Sequence, residues 1–279
     1  MTTDMHEIIV TDAVYDSDDI PEIDHLATRA ALMRPEIQAD GRVKLAPAED
    51  TSGDELPPEM ERCDDTVAPY RSVGRLAVHW SSADKAVHGS AQLIAPNLVL
   101  TAGHCVHWAG QWNTDLYFLK RFKDGGAEPP TIKFDKIGVL RGWHDNTLGD
   151  DPNEAAWAYD FAVLRIAGDP ASDHVALAAL LDDVTDFNIV GYPYKYDNGA
   201  FMLGSTAGRT DGIYEGTVGA HPSHMGFGAS GGAWFSGAGA AAEVVGLNSF
   251  KMSTDPDVDY SPVFTDATIG LAKHMAALG

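Results

Sequence analysis

Three short stretches carry side chains able to perform acyl transfer. "NLVLTAGHCV" places His104 just after an apolar strand, "YDFAVLRI" places Asp160 at the start of another, and "GFGASGGAW" places Ser230 in a glycine-rich turn. A serine hydroxyl becomes a nucleophile when a neighbouring imidazole takes its proton. A carboxylate then fixes the tautomer of that imidazole, and backbone N–H groups stabilise the oxyanion that forms. The Gly228–Gly232 turn suits the last requirement, with the N–H groups of Gly228 and Ser230 as candidate donors.

Chain order separates two architectures that use such a serine. In α/β-hydrolases the order is Ser, acid, His. Only His274 follows Ser230 here, inside a helix-like terminus, and no strand–helix alternation precedes it. The order His104, Asp160, Ser230 instead resembles the trypsin-like, chymotrypsin-fold serine proteases. "TAGHC", "DFAVL" and "GASGG" match that family in order. "VVGLNSF" resembles the family's substrate-side strand, whose serine, here Ser249, bonds the triad aspartate. "SPVFTD" before a terminal helix resembles its ending, and "IVGYP" at 189–193 resembles the bacterial glutamyl-endopeptidase branch. The resemblance spans about residues 70–279. It implies a serine endopeptidase acting on polypeptides without a cofactor, with His104, Asp160 and Ser230 catalytic. A serine esterase on the same fold and a non-catalytic protease-like binding module are the alternatives.

The sequence departs from the family at three places. Ala229 stands where an aspartate usually precedes the nucleophile, so no carboxylate is available there to receive a freed N-terminus. Gly89 stands where the customary disulfide partner of Cys105 would be, and Asn248 where the glutamyl branch has a histidine. By the resemblance, His224 lies at the base of the specificity pocket and Lys251 on its wall. Together they would bring positive charge to an acidic substrate side chain.

The elements that must position these residues read as all-β. From Tyr70 onward, short apolar or alternating runs are separated by Gly, Pro, Asn and Asp, the texture of a β-sandwich or barrel. The expected fold is two packed six-stranded antiparallel barrels with a C-terminal helix. In "DATIGLAKHMAALG" the spacing places Ile269, Ala272, Met275 and Ala276 on one face. Residues 69–279 are expected to form the protease domain. Residues 1–68 are expected to be an acidic extension or pro-segment, with a short helix over 22–33 and a proline-rich linker after it.

Charge and composition exclude other classes. The net charge of −22 divides into 18 acidic against 5 basic residues over 1–68 and 23 against 14 over the rest. Nucleic acid and anionic membranes would be repelled, and no run approaches the ~20 apolar residues of a membrane span. The N-terminus lacks the basic start and apolar run of a secretory signal, whereas the resemblance suggests secretion. The compartment stays open. Cys63 and Cys105 either pair or are buried thiols. His104/His107 and His221/His224 form H-x-x-H pairs without the further ligands a zinc site needs, so no metal is expected. "DPDVD" at 255–259 lacks the glycine of a calcium loop and reads as a solvated turn.

Overall fold

The computed structural model describes residues 4–15, 34–39, 43–46, 55–80, 85–124, 126–127, 130–149 and 152–278. The helix expected over 22–33 lies outside the described residues. The N-terminal part contributes β1 (Ile8–Asp12), β2 (Arg34–Ile37), β3 (Val43–Ala46) and β4 (Met60–Arg62). Next come β5 (Val73–Trp80), β6 (Lys85–Ala95), β7 (Leu98–Thr101) and the small hairpin β8 (His107–Trp108) and β9 (Gln111–Trp112). β10 (Asp115–Lys120), β11 (Ile132–Leu140), a short helix α1 (Arg141–His144) and β12 (Ala162–Ile166) follow. The remainder is β13 (Ala176–Leu177), β14 (Asp186–Gly191), β15 (Leu203–Asp211), β16 (Thr217–His221), β17 (Ala233–Ser236), β18 (Glu243–Leu247), β19 (Phe250–Met252), β20 (Asp255–Pro262) and α2 (Asp266–Ala277).

β5, β6, β7, β12, β11 and β10 close into a six-stranded barrel, because β11 pairs with both β10 and β12. Its strands run nearly uninterrupted in buried apolar residues, among them Leu76, Leu93, Val99, Leu100, Leu116, Phe118 and Val163. Strands that face a core on one side and packed loops on the other lose the simple alternation of an exposed sheet. The second sheet runs β13-β18-β17-β14-β15-β16-β20-β19-β2-β3 without closing, with β4 on β15. Among the described residues the architecture is therefore a closed six-stranded barrel beside a second half-barrel, with a C-terminal helix, in line with the expected two-barrel fold.

The N-terminal strands do not form a separate layer. β1 pairs antiparallel with β11, from Ile8 opposite Leu140 to Asp12 opposite Lys136. β4 pairs with β15, and β2 pairs in parallel with β19. The expected boundary near residue 68 thus coincides with no sheet boundary.

The terminal helix forms, capped by Thr265, whose hydroxyl accepts from the Ala267 N–H while Thr268 Oγ1 accepts from the Thr265 N–H. Its buried face is Thr268, Leu271 and Met275, with Ile269 and Ala272 half-buried and Ala276 exposed. The face is rotated from the expected one toward Leu271. The cap draws Thr268 inward and sets the helix's rotation about its axis. Residues 255–259, expected as a solvated turn, instead open β20, and Asp259 is fully buried.

Candidate active site

His104 sits in a 3₁₀ turn, Gly103–Cys105, that ends β7. Glycine is needed before it: a Cβ on Gly103 would meet the Trp143 indole at 2.9 Å. Trp143 packs beside Trp108 and Trp157, and its indole N–H donates to the His107 carbonyl. This aromatic floor fixes the turn that carries the imidazole.

Asp160 lies where a second 3₁₀ segment, Glu154–Tyr159, passes into β12. Its carboxylate is fully buried and its oxygens are shared among three donors. Oδ1 accepts from the His104 backbone N–H at 2.8 Å, and Oδ2 accepts from His104 Nδ1 at 2.8 Å. Oδ2 also accepts from Ser249 Oγ at 2.5 Å. With Nδ1 donating, Nε2 is the basic nitrogen of the neutral ring. Burial of the imidazole disfavours its charged form, but the adjoining Asp160 carboxylate outweighs that. The His104 pKa is raised above its ordinary 6.5.

Ser230 lies in the turn between β16 and β17. Gly228 has φ of +90°, and a Cβ there would meet the Tyr192 carbonyl at 2.3 Å and His88 Nε2 at 2.6 Å, so only glycine fits. The peptide planes of this turn are fixed. The Phe227 carbonyl accepts from the Tyr194 N–H at 2.6 Å, and the Ala229 carbonyl accepts from the Gly232 N–H at 2.8 Å. Because a trans peptide points its C=O and N–H in opposite directions, the N–H groups of Gly228 and Ser230 are aimed away from those partners.

The two halves of the site adjoin. Cys105 Sγ lies 4.0 Å from the Ser230 carbonyl, and a Cβ on Gly231 would meet Thr101 Oγ1 and the Ala102 nitrogen. His104 Nε2 and Ser230 Oγ are both buried, and neither has a hydrogen-bond partner among the described residues. Ser230 is 1% and His104 3% exposed, so the site is covered.

The structure brings together His104, Asp160, Ser249 and the Ser230 turn. Lys251 and His224, the two residues expected around the substrate, are engaged within the chain. Lys251 Nζ donates to the carbonyls of Ser223 (2.9 Å) and Pro256 (2.7 Å) and lies 3.4 Å from buried Asp259. His224 Nε2 lies 3.6 Å from Glu59. His107 has other partners: its Nδ1 bonds Thr147 Oγ1, and its ring stacks on His144. Cys63 and Cys105 are free thiols. A Cβ on Gly89 would lie 3.2 Å from Cys105 Sγ, so the missing cysteine partner has its place there.

Ser90 escaped the sequence reading, and Asn248 was read there only as a departure from the glutamyl branch, not for its contacts. Asn248, fully buried, donates through Nδ2 to the Val190 and Ala229 carbonyls and accepts from the Trp234 indole. It braces the residue before Ser230 from behind. Ser90 reaches the same turn from the first barrel, donating through Oγ to the Gly228 carbonyl.

A family model described as the trypsin-like peptidase domain matches residues 89–247, more than half of the chain. The chain belongs to the trypsin-like peptidase family. No curated protein sequence matches it. Among solved structures, the protease Anisep from Arthrobacter nicotinovorans is 19% identical with a TM-score of 0.64, covering 74% of this chain and 96% of that one. The thermostable serine protease AL20 from an extremophilic microorganism is 20% identical, with a TM-score of 0.62 over 75% and 98%. A Glu endopeptidase in complex with MPD is 20% identical, with a TM-score of 0.63 over 81% and 99%. At these identities the likeness is one of fold.

Proposed function

We propose that this trypsin-like peptidase is a serine endopeptidase in which Ser230 attacks the scissile carbonyl. His104 takes the hydroxyl proton at Nε2 and returns it to the leaving amine. Asp160 holds the imidazole in that tautomer, itself oriented by Ser249. The N–H groups of Gly228 and Ser230 receive the oxyanion. The observation that carries this reading is the buried Asp160 carboxylate bonded to both His104 nitrogens on the backbone and ring, which leaves Nε2 unpartnered beside the Ser230 turn.

We further propose that the N-terminal extension is a pro-segment that covers this site. β2 pairs in parallel with β19, the strand that leaves Ser249. Glu36 lies opposite Lys251, Ile37 opposite Met252, and the Ser253 N–H donates to the Ile37 carbonyl at 3.0 Å. Ile37 is buried, and Glu59 of the same extension lies against His224. An extended peptide substrate adding to this strand would meet an edge already taken.

The test is covalent labelling with a fluorophosphonate, before and after limited proteolysis of the extension, with the modified residue mapped. Label on Ser230 that disappears in Ser230→Ala is expected. Turnover of peptide should fall in that variant by about 10⁴-fold or more. Labelling that persists in Ser230→Ala would remove the assignment.

A further inference from the structure

Ala229, the residue before the nucleophile, has a buried methyl group and no polar side chain with which to anchor the turn. The anchoring is done from the other barrel. Five consecutive carbonyls, from Gly226 to Ser230, are all bonded. Three are held by groups of the turn itself or of the second sheet and its loops: Gly226 by the Ala229 N–H, Phe227 by the Tyr194 N–H, and Ala229 by the Gly232 N–H and Asn248 Nδ2. The other two are both held by Ser90 of β6. Its Oγ donates to the Gly228 carbonyl at 2.7 Å, and its backbone N–H donates to the Ser230 carbonyl at 2.7 Å.

Ser90 is itself fixed on every side. It is fully buried. Its Oγ accepts from the Tyr192 N–H at 2.9 Å, so its single O–H is committed to Gly228. Its carbonyl accepts from Thr101 Oγ1 at 2.9 Å, one turn ahead of His104. Tyr192 is held at its other end by His88, whose Nε2 lies 3.2 Å from the Tyr192 carbonyl while Nδ1 faces Arg75 Nη2 at 2.5 Å. Arg75 keeps Nδ1 as the acceptor, so Nε2 carries the donated proton. The chain Arg75–His88–Tyr192–Ser90–Gly228 thus ties the first barrel to the turn through consecutive buried bonds.

We propose that Ser90 is a positioning residue that sets the oxyanion-binding turn from the opposite barrel. It holds the Gly228–Ala229 and Ser230–Gly231 peptide planes, which lie on either side of the one carrying the Ser230 N–H, so that the Gly228 and Ser230 N–H groups stay convergent. This rests on the reading of Ser230 as nucleophile. A hydroxyl at position 90 replaces the anchor that the residue before the nucleophile does not provide. Removing it leaves the Gly228 carbonyl and the Tyr192 N–H buried without partners. The turn is then free to rotate at Gly228, which has no Cβ to restrict its φ and ψ.

The experiment compares Ser90→Ala with Ser261→Ala. Ser261 is a matched control: its buried hydroxyl also accepts from one backbone N–H (Leu247) and donates to one carbonyl (Pro262), away from the turn. On the proteolytically activated protein, Ser90→Ala should lower kcat by about ten- to a hundredfold with KM within about threefold, since donors are misaimed rather than deleted. Ser261→Ala should lose comparable thermal stability and keep kcat. On the full chain, amide hydrogen exchange over residues 226–232 should accelerate in Ser90→Ala and not in Ser261→Ala. A wild-type kcat in Ser90→Ala, a kcat loss equal to that of Ser261→Ala, or unchanged exchange over 226–232 would each overturn the proposal. If the alanine variant does not fold, Ser90→Cys keeps the shape with only a weak donor, and a wild-type kcat there overturns it as well. Labelling of Ser230→Ala, read in parallel, reports separately on the nucleophile. The exchange arm reads the turn whether or not the protein turns over.

Discussion

In the proposed mechanism the His104 imidazole can act as a base only once it has lost its proton, and the Asp160 carboxylate beside it makes that proton harder to lose. The pH dependence follows directly. Activity should rise with pH through a limb centred above 6.5, the ordinary histidine value. The same group stabilises the fold below pH 6.5, and that contribution is lost as pH rises through the raised folded-state pKa. Asp160→Asn removes the charge and leaves burial, which acts in the other direction. Its limb should therefore move down to 6.5 or below, and its rate should drop by about 10⁴-fold from the wrong tautomer. A kcat/KM profile of both proteins checks this, and an unmoved limb would show that another group titrates. At this scale the sequence was legible where a motif resembles the family's: "TAGHC", "DFAVL" and "GASGG" single out His104, Asp160 and Ser230, and His104 and Asp160 are bonded in the structure beside the Ser230 turn. Ser90, and the bonds by which Asn248 braces the turn, were not legible. A serine in a strand has no signature, and Ser90 acquires its role only from the Gly228 carbonyl 138 residues away.

Among the elements, the barrel strands were readable because turn residues bracket short apolar runs: "VGRLAVHW" is β5 from end to end. β1, β2 and β4 were not, since their partners lie far along the chain and the acidic composition around them argues for a solvated tail. β1 becomes a strand only because the half of β11 not paired with β10 offers it an edge. The β8–β9 hairpin and α1 carry a consequence of their own. His107 is buried between Trp112 and His144. Burial first, then the His144 charge, lowers its pKa to about 4. A depressed histidine costs stability on acidification, because the unfolded chain takes up the proton first. Stability should therefore fall as pH drops from 6.5 toward 4. Thermal melts of His107→Gln, which keeps a polar partner for Thr147 without a titrating group, should show a shallower fall over that window than the wild type. Equal slopes would assign the acid sensitivity elsewhere.

For the whole molecule, the charge distribution and the sheet topology make opposite demands. Residues 1–68 carry 13 more acidic than basic residues and the remainder 9 more, so extension and body repel one another at long range. The described part of the extension stays in place through strand pairing, and its three attachments differ in consequence. β1 completes an edge of the closed barrel and β4 an edge of the half-barrel, both part of the packed fold. The β2–β3 pair is held by two register positions on β19 and by Ile37, and it alone lies on the strand that leaves Ser249. Removing everything before residue 69 should therefore do two things at once: uncover the site and strip β1 and β4 from their sheets. Deleting only residues 34–46 should separate them. That variant is expected to keep a melting temperature near that of the full chain while Ser230 labels at least about tenfold faster, the gain that relieving a coupling of roughly 1.4 kcal/mol would produce. A chain beginning at residue 69 is expected to label quickly and to melt several degrees lower. Fluorophosphonate labelling rates and thermal melts on the three proteins measure both quantities. If deletion of 34–46 leaves the labelling rate unchanged while truncation at 69 raises it, the cover is some other part of the extension. If neither change raises it, the extension is a structural part of the peptidase, and the site opens without it.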